Sequence, residues 1–224
     1  MKKIRTIVVN RSAYADNDAE ASLLRSYLKD RGVFLVNVMS SPGAGKTTTL
    51  IKLINALKDS YRIGVLEADI DSDVDAINVA KETNVKSIQL HTSGMCHLDA
   101  GMTKKGLDEI DISDLDLLFL ENVGNLVCPA EFDTGACMDI VILSIPEGDD
   151  KPLKYPLVFS KCDLVLINKI DTIKFFNFDF KKCEEMIKYR NPNSTVIKIS
   201  ALTGEGINQV RDYLKNKIDS WRKS

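Results

Sequence analysis

Apolar positions along the chain follow two alternating patterns. Short runs rich in β-branched residues read as buried strands: VFLVNVM (33–39), RIGVLEAD (62–69), SIQLHT (87–92), DLLFLENV (116–123), MDIVILSI (138–145), DLVLINKI (163–170) and TVIKISA (195–201). Between them lie segments with helical spacing: TTLIKLINALKD (48–59), DAINVAKET (75–83), HLDAGMTKKGLDEI (97–110), FKKCEEMIKYRN (180–191) and INQVRDYLKNKIDSW (207–221). In the first of these, Leu50, Ile51, Leu53, Ile54 and Leu57 recur on one face. Strands that are apolar throughout, separated by helices, predict an α/β fold with a mostly parallel sheet flanked by helices on both faces. Residues 1–32 read as an extended piece and a helix, an arm packed on a domain spanning 33–224. The chain shows no internal repeat and no low-complexity tract.

The stretch SSPGAGKTTT follows the strand at 33–39 and opens the helix at 48. A strand, a glycine-containing loop and a helix in that order make a phosphate-binding loop. Successive N–H groups of Gly43, Ala44, Gly45, Lys46, Thr47 and Thr48 form a concavity for phosphates, helped by the helix N-terminus. The Lys46 ammonium suits the β- and γ-phosphates, and the Thr47 hydroxyl suits Mg2+. Ser40 stands where such loops usually carry their first glycine. The fold class expected is therefore that of a P-loop NTPase.

Further on, NKID (168–171) ends an apolar strand far downstream of the loop. An Asp171 carboxylate accepts two hydrogen bonds from the N1–H and amine edge of guanine, which adenine lacks. The Asn168 amide is expected on the opposite edge of the base, and the Lys169 stem over its plane. SALTGEG (200–206) resembles a loop closing on guanine O6, through Ser200 and Ala201. Carboxylates at strand C-termini face the crevice of such sheets. Glu121 with Gly124 fits an acid-x-x-Gly switch that reads Mg2+ and the γ-phosphate. Asp69 is the candidate for a second Mg2+ or water-orienting role, so Lys46, Asp69 and Glu121 are the candidate catalytic residues. Asp71, Asp73 and Asp75 are expected in solvated positions. No glutamine occupies a water-orienting position, so intrinsic GTP hydrolysis is expected to be slow, or to be completed by dimerisation.

Composition narrows this picture little. The 224 residues carry 30 basic and 32 acidic side chains, a net charge of −2, which favours neither nucleic acid nor membrane surfaces. No apolar run approaches the ~18 residues of a membrane span, and the N-terminus has no signal-peptide pattern, so a cytoplasmic location is expected. The five cysteines lack disulfide-framework spacing. Cys96 and His97 are adjacent at an expected helix start. Cys128 could meet them if the strands at 87–92 and 116–123 are neighbours. Two thiolates and an imidazole suit Zn2+ or Ni2+; the other reading is incidental thiols. Cys137, Cys162 and Cys183 read as apolar filler, and His91 as structural or exposed. Lys154 is either a solvated loop lysine or a cation offered across a dimer to the partner's phosphates.

From Val33 onward the sequence resembles the HypB family, the GTPases of nickel insertion into nickel–iron hydrogenases. The stretches that carry the resemblance are SSPGAGKTTTL, CHLDA, ENVGNLVCPAEFDTG, EGDDKPLKYPLVFSKCDLVLINKID and SALTGEG. CHLDA and ENVGNLVCP are specific to that family; the related urease nickel GTPases carry a Cys-Pro-His motif instead. The resemblance implies a SIMIBI-class GTPase fold. It implies GTP binding by Lys46, Thr47, Asn168 and Asp171, and nickel or zinc binding by Cys96, His97 and Cys128. It also implies a homodimer on GTP binding with metal at the interface, a HypA-type nickel chaperone as partner, and the hydrogenase large subunit as recipient. Gly101 stands where the family often has a second histidine, which limits the expectation to one Cys/His/Cys site per protomer. The sequence has no Cys-rich N-terminal motif and no His-rich tract, so N-terminal nickel binding and storage are not expected. The alternatives are a metal-binding dimeric scaffold with incidental hydrolysis, a urease-type nickel-insertion GTPase, and a plain GTPase with inert thiols.

Overall fold

The computed structural model describes residues 5–8, 14–69, 74–92 and 94–223, with the backbone alone for 5–8, 14 and 15. Among these residues the chain runs β1 (Arg5–Val8), α1 (Tyr14–Asp30), β2 (Phe34–Ser40), α2 (Lys46–Leu57), β3 (Ile63–Asp69), α3 (Val74–Thr83), β4 (Lys86–His91), α4 (Ala100–Ile110) and β5 (Leu117–Glu121). It continues α5 (Cys128–Glu131), β6 (Met138–Ser144), α6 (Lys151–Lys154), α7 (Pro156–Lys161), β7 (Leu164–Asn168), α8 (Phe180–Arg190), β8 (Thr195–Lys198) and α9 (Ile207–Lys223). The strands form one sheet in the order β1-β4-β3-β5-β2-β6-β7-β8, and every pairing is parallel.

The uninterrupted apolar runs have a direct cause. β2, β5 and β7 are buried at every position, because helices cover both faces. Alternate residues face opposite layers. Val36, Val38, Leu117 and Phe119 pack with Leu50, Leu53, Ile54, Val210 and Leu214 of α2 and α9. Leu35, Leu118 and Leu120 pack with Leu24 and Leu28 of α1 and Met102 and Leu107 of α4. On the far half of that second face, Val141 and Val165 meet Phe159 and Ile187 of α7 and α8. The polar residue inside VFLVNVM, Asn37, is satisfied by neighbours. It accepts from Asn122 Nδ2 at 3.1 Å and donates to Asp139 Oδ1 at 2.8 Å, as a buried amide must.

Part of the N-terminal segment joins the domain directly. β1 extends the sheet beyond β4. Arg25 of α1 forms a two-pronged pair with Asp133, at 2.8 and 2.7 Å. No helix among the described residues is long and apolar enough to cross a membrane.

Two details differ from the sequence reading. The helix expected over 97–110 begins at Ala100, because the Asp99 carboxylate accepts from Met102 N at 2.8 Å and sets its first turn. Cys96 and His97 therefore lie in the loop before the helix. β4 and β5 are not neighbours; β3 separates them. Asp75 is exposed in the first turn of α3, in the solvated position expected, while Asp71 and Asp73 lie outside the described residues.

Parallel strands put their C-terminal ends on one edge, where Ser40, Asp69, Glu121, Ser144 and Asn168 end theirs. The loop between β8 and α9 reaches the same edge and depends on Gly206. Its φ is +76°, and a Cβ there would overlap the Lys198 carbonyl oxygen and crowd Ile199 Cγ2 at 3.0 Å. Gly206→Ala is expected to cost about 3 kcal/mol of stability, read as a lowered urea midpoint with unchanged slope.

Candidate nucleotide and thiol site

The phosphate loop is built as its sequence requires. Gly43 and Gly45 take φ of +74° and +95°, in the left-handed region open to glycine. A Cβ on Gly45 would lie 2.6 Å from Asn168 Nδ2, so the loop and the NKID segment touch. Lys169 Nζ donates to the Gly43 carbonyl at 2.6 Å, which lays the lysine stem along the loop.

Asn168 also ties two loops together. Its side chain is buried, donates to Ala44 O at 2.9 Å and accepts from Ala201 N at 3.0 Å. It clamps the phosphate loop to the 200–206 loop. The Ala201 amide is correspondingly engaged by Asn168. Asp171 is held by Ser200, whose hydroxyl donates to Oδ1 at 2.5 Å. One oxygen of the carboxylate is thereby fixed in orientation beside the crevice.

Glu121, at the end of β5, accepts from the Thr47 hydroxyl at 2.9 Å and lies 3.6 Å from Lys46 Nζ. The expected carboxylate, lysine and threonine thus converge. The second carboxyl beside them is Glu67, opposite Glu121 in the β3–β5 register and buried like it. Burial, then the charge of Glu121, holds Glu67 well above the usual carboxylate range. Burial also raises Glu121, against the opposing pull of Lys46. Glu67 Oε1 and Glu121 Oε2 are both buried and have no hydrogen-bond partner. Orphaned buried oxygens beside a threonine hydroxyl fit a hard, oxygen-seeking divalent cation such as Mg2+. Thr47 and Glu121 would hold it. Asp69 ends β3 two residues beyond, opposite His91.

The thiols meet although their strands are not adjacent. Cys128 opens α5, and its thiol lies against that of Cys96; this contact first, then burial, raises the Cys96 thiol above its ordinary value. Cys96 Sγ is 3.9 Å from Nδ1 of His97. The buried His97 ring stacks on Phe132, centroids 3.7 Å apart and planes 8° from parallel, so its plane is set by packing. Among the described residues, no group of three or more His, Cys, Asp or Glu is assembled in metal-holding geometry.

One residue joins these parts. Asn125 bridges Ser40 at the start of the phosphate loop through its backbone. Its Nδ2 points at the Cys96 carbonyl, 3.5 Å away, and its Oδ1 accepts from Val127 N at 2.9 Å, next to Cys128. Gly124, beside it, lies close over Pro42.

Residues 34–198 match the model of the CobW/HypB/UreG nucleotide-binding domain. The hydrogenase maturation factor HypB of Rhizobium leguminosarum is 40% identical over 215 residues, covering 96% of this chain and 72% of that protein. The chain belongs to the HypB family. The crystal structure of HypB from Helicobacter pylori in complex with nickel superposes with a TM-score of 0.86 at 36% identity, covering 92% of this chain and 96% of that one. HypB from Archaeoglobus fulgidus gives 0.84 at 34%, covering 91% and 99%. The resemblance drawn from CHLDA and ENVGNLVCP therefore holds, and with it the P-loop NTPase fold.

Against that HypB background, three residues stand out that the motifs did not mark. Glu67 reads in VLEAD as an ordinary strand position. Asn125 lies inside a recognised motif without a role of its own. Lys151 carries the cation that reaches the phosphate loop: its Nζ is 3.4 Å from Ser41 Oγ and 3.5 Å from Glu147. Lys154, the lysine singled out in the sequence, is exposed and paired with Asp150 at 2.7 Å. Cys162 and Cys183 are fully buried, and burial pushes both thiols up to about 12, as suits filler.

Proposed function

We propose that this protein is a GTP-hydrolysing metallochaperone that couples its nucleotide state to nickel delivery in hydrogenase maturation. The single observation that carries the coupling is Asn125. It touches the phosphate loop, the Cys96 backbone and the turn that presents Cys128, so a nucleotide that moves the Glu121–Gly124 segment also moves both thiols.

Phosphoryl transfer from GTP to water is a reaction of positioning and charge neutralisation. Lys46 and the loop amides hold the β- and γ-phosphates, and Asp171 selects the base. Mg2+, when bound, would neutralise charge developing on the transferred group. Thr47 and Glu121 orient that cation; Asp69, at the crevice edge, is the candidate for orienting water.

Nickel is cargo, taken by Cys96, Cys128 and His97, with zinc as a competitor for the same thiols. Three ligands per protomer leave a tetrahedral metal one short, which favours completion by a second copy in a GTP-bound homodimer. Lys154 is offered on the same terms: its exposed pair with Asp150 is cheap to break, so it can reach a partner's phosphates. The expected partners are a HypA-type nickel chaperone and the hydrogenase large subunit, in the cytoplasm. Residues 33–224 act as the GTPase domain, with 1–32 as a packed arm.

The test is nickel titration of the GTP-analogue and GDP forms with oligomeric state measured in parallel. Different affinity and a dimer only with the GTP analogue are expected. Equal affinity, stoichiometry and mass in both states would remove the coupling.

A further inference from the structure

A phosphate loop has two ends, and the contacts in this protein tell them apart. Asn168 and Lys169 hold the carbonyls of Ala44 and Gly43, so that stretch lies toward the NKID segment, where a base would sit. Gly124, the glycine placed to read a terminal phosphate, packs over Pro42 at the opposite end. Lys151 reaches the loop one residue from there, at Ser41. Its ammonium thus approaches the loop at the end where a triphosphate would extend beyond a diphosphate.

The lysine is enclosed but loosely held. Its side chain is 16% exposed, against 60% for Lys154 on the same short helix. Its Nζ lies 3.4 Å from Ser41 Oγ, 3.5 Å from Glu147 Oε1 and 4.9 Å from the centre of the Tyr155 ring. An ammonium closed on a carboxylate sits at about 2.7–2.9 Å, so neither oxygen has captured it. Glu147 is not free to close the gap. Its Oε2 accepts from Ser144 N at 2.8 Å and from Ser144 Oγ at 2.7 Å, which caps the turn at 145–147 and fixes the carboxylate. Oε1 is left buried without a hydrogen-bond partner. An ammonium has three donors and no acceptor capacity, and withdrawn from water it is costly unless those donors find close acceptors. A terminal phosphate offers them.

We propose that Lys151 contacts the terminal phosphate of GTP bound to its own protomer, and so sets the preference for triphosphate over diphosphate. This rests on the nucleotide-binding reading above and adds to it a cation from outside the phosphate loop. It also divides the two lysines of α6. Lys154 is exposed and available to a partner, whereas Lys151 faces its own loop. Glu147 behind it keeps a counter-charge within reach when no nucleotide is bound.

The experiment is competition of GDP and of a non-hydrolysable GTP analogue against a fluorescent GDP analogue, with Mg2+ present. It compares the wild-type protein with Lys151→Met, which keeps the stem and removes the charge. GDP affinity should stay within about twofold, while affinity for the GTP analogue should fall by about tenfold or more, the usual cost of losing a hydrogen bond to a charged group. The loss should persist when the protein is diluted to the monomer, since lysine and phosphate belong to one protomer. Lys151→Met leaves Glu147 without its counter-charge, so a double variant, Lys151→Met with Glu147→Gln, removes the pair together. Its amide oxygen can still accept from Ser144, and it should show the same selective loss.

Equal losses for GDP and the GTP analogue in both variants would make Lys151 a mere support of the loop and overturn the inference. Wild-type affinity for both nucleotides in Lys151→Met would overturn it too, as would a loss for the analogue that vanishes on dilution. A wild-type protein that binds neither nucleotide would instead remove the nucleotide reading, and this inference with it.

Discussion

Replacing Asp171 by asparagine is expected to lower the preference for GTP over ATP by roughly a hundredfold or more. The reason lies in the pairing of donors and acceptors. Guanine offers two adjacent donors, N1–H and the exocyclic amine, and a carboxylate meets both with acceptors. An asparagine at the same place turns an amide N–H toward a donor, so one hydrogen bond is lost and another group is buried unpaired. Ser200 sharpens the effect, because its hydroxyl holds Oδ1 at 2.5 Å and the carboxylate cannot swing aside to relieve the mismatch. A base carrying a carbonyl in place of the amine, as xanthine does, should regain affinity in the variant. Competition of GTP, ATP and the xanthine nucleotide against a fluorescent analogue reads this directly. An unchanged ratio of GTP to ATP would mean that the base lies elsewhere.

How much of this was legible beforehand follows from which interactions are local. The phosphate loop is a run of consecutive backbone amides, so SSPGAGKTTT displays it in order. The alternation of strands and helices is equally local, since each apolar run reflects burial of that strand on both faces. Strand order is not local, and the errors collect there. Glu67 stands out only in the structure, because only the β3–β5 register sets it against Glu121, and no periodicity carries that register. Cys96 and Cys128 were expected to meet through neighbouring strands; they meet across an intervening β3, through the long connections that lead into α4 and α5. The Asn168 amide also reaches Ala44 and Ala201, contacts more than thirty residues away in sequence that no motif displays. Lys151 and Lys154 are three apart on one short helix, and only the packing of α6 against the phosphate loop tells which of them points inward.

The thiol pair yields the other large effect. Cys128→Ala and Cys96→Ala are each expected to weaken nickel binding by about a hundredfold or more, with zinc lost in parallel. Borderline and soft divalent ions owe their affinity to thiolate sulfur, and what remains after either substitution is one sulfur and one imidazole. Removing either thiol should cost nearly the same, since each would supply one sulfur to the same ion. His97→Ala should cost less in affinity than either cysteine, because its ring is held by the stack on Phe132 as well as by any metal. The buried thiols supply the control. Cys183 is fully enclosed and its thiol is pushed up to about 12, so Cys183→Ala should leave nickel stoichiometry and affinity as they are. Isothermal titration with nickel, paired with metal analysis of the dialysed proteins, measures all four variants. Wild-type affinity in Cys96→Ala and Cys128→Ala together would mean that these thiols are inert and that the cargo is held elsewhere. Loss in both, with the nucleotide affinity of each variant unchanged, would tie the metal to the two loops that Asn125 connects to the phosphate site.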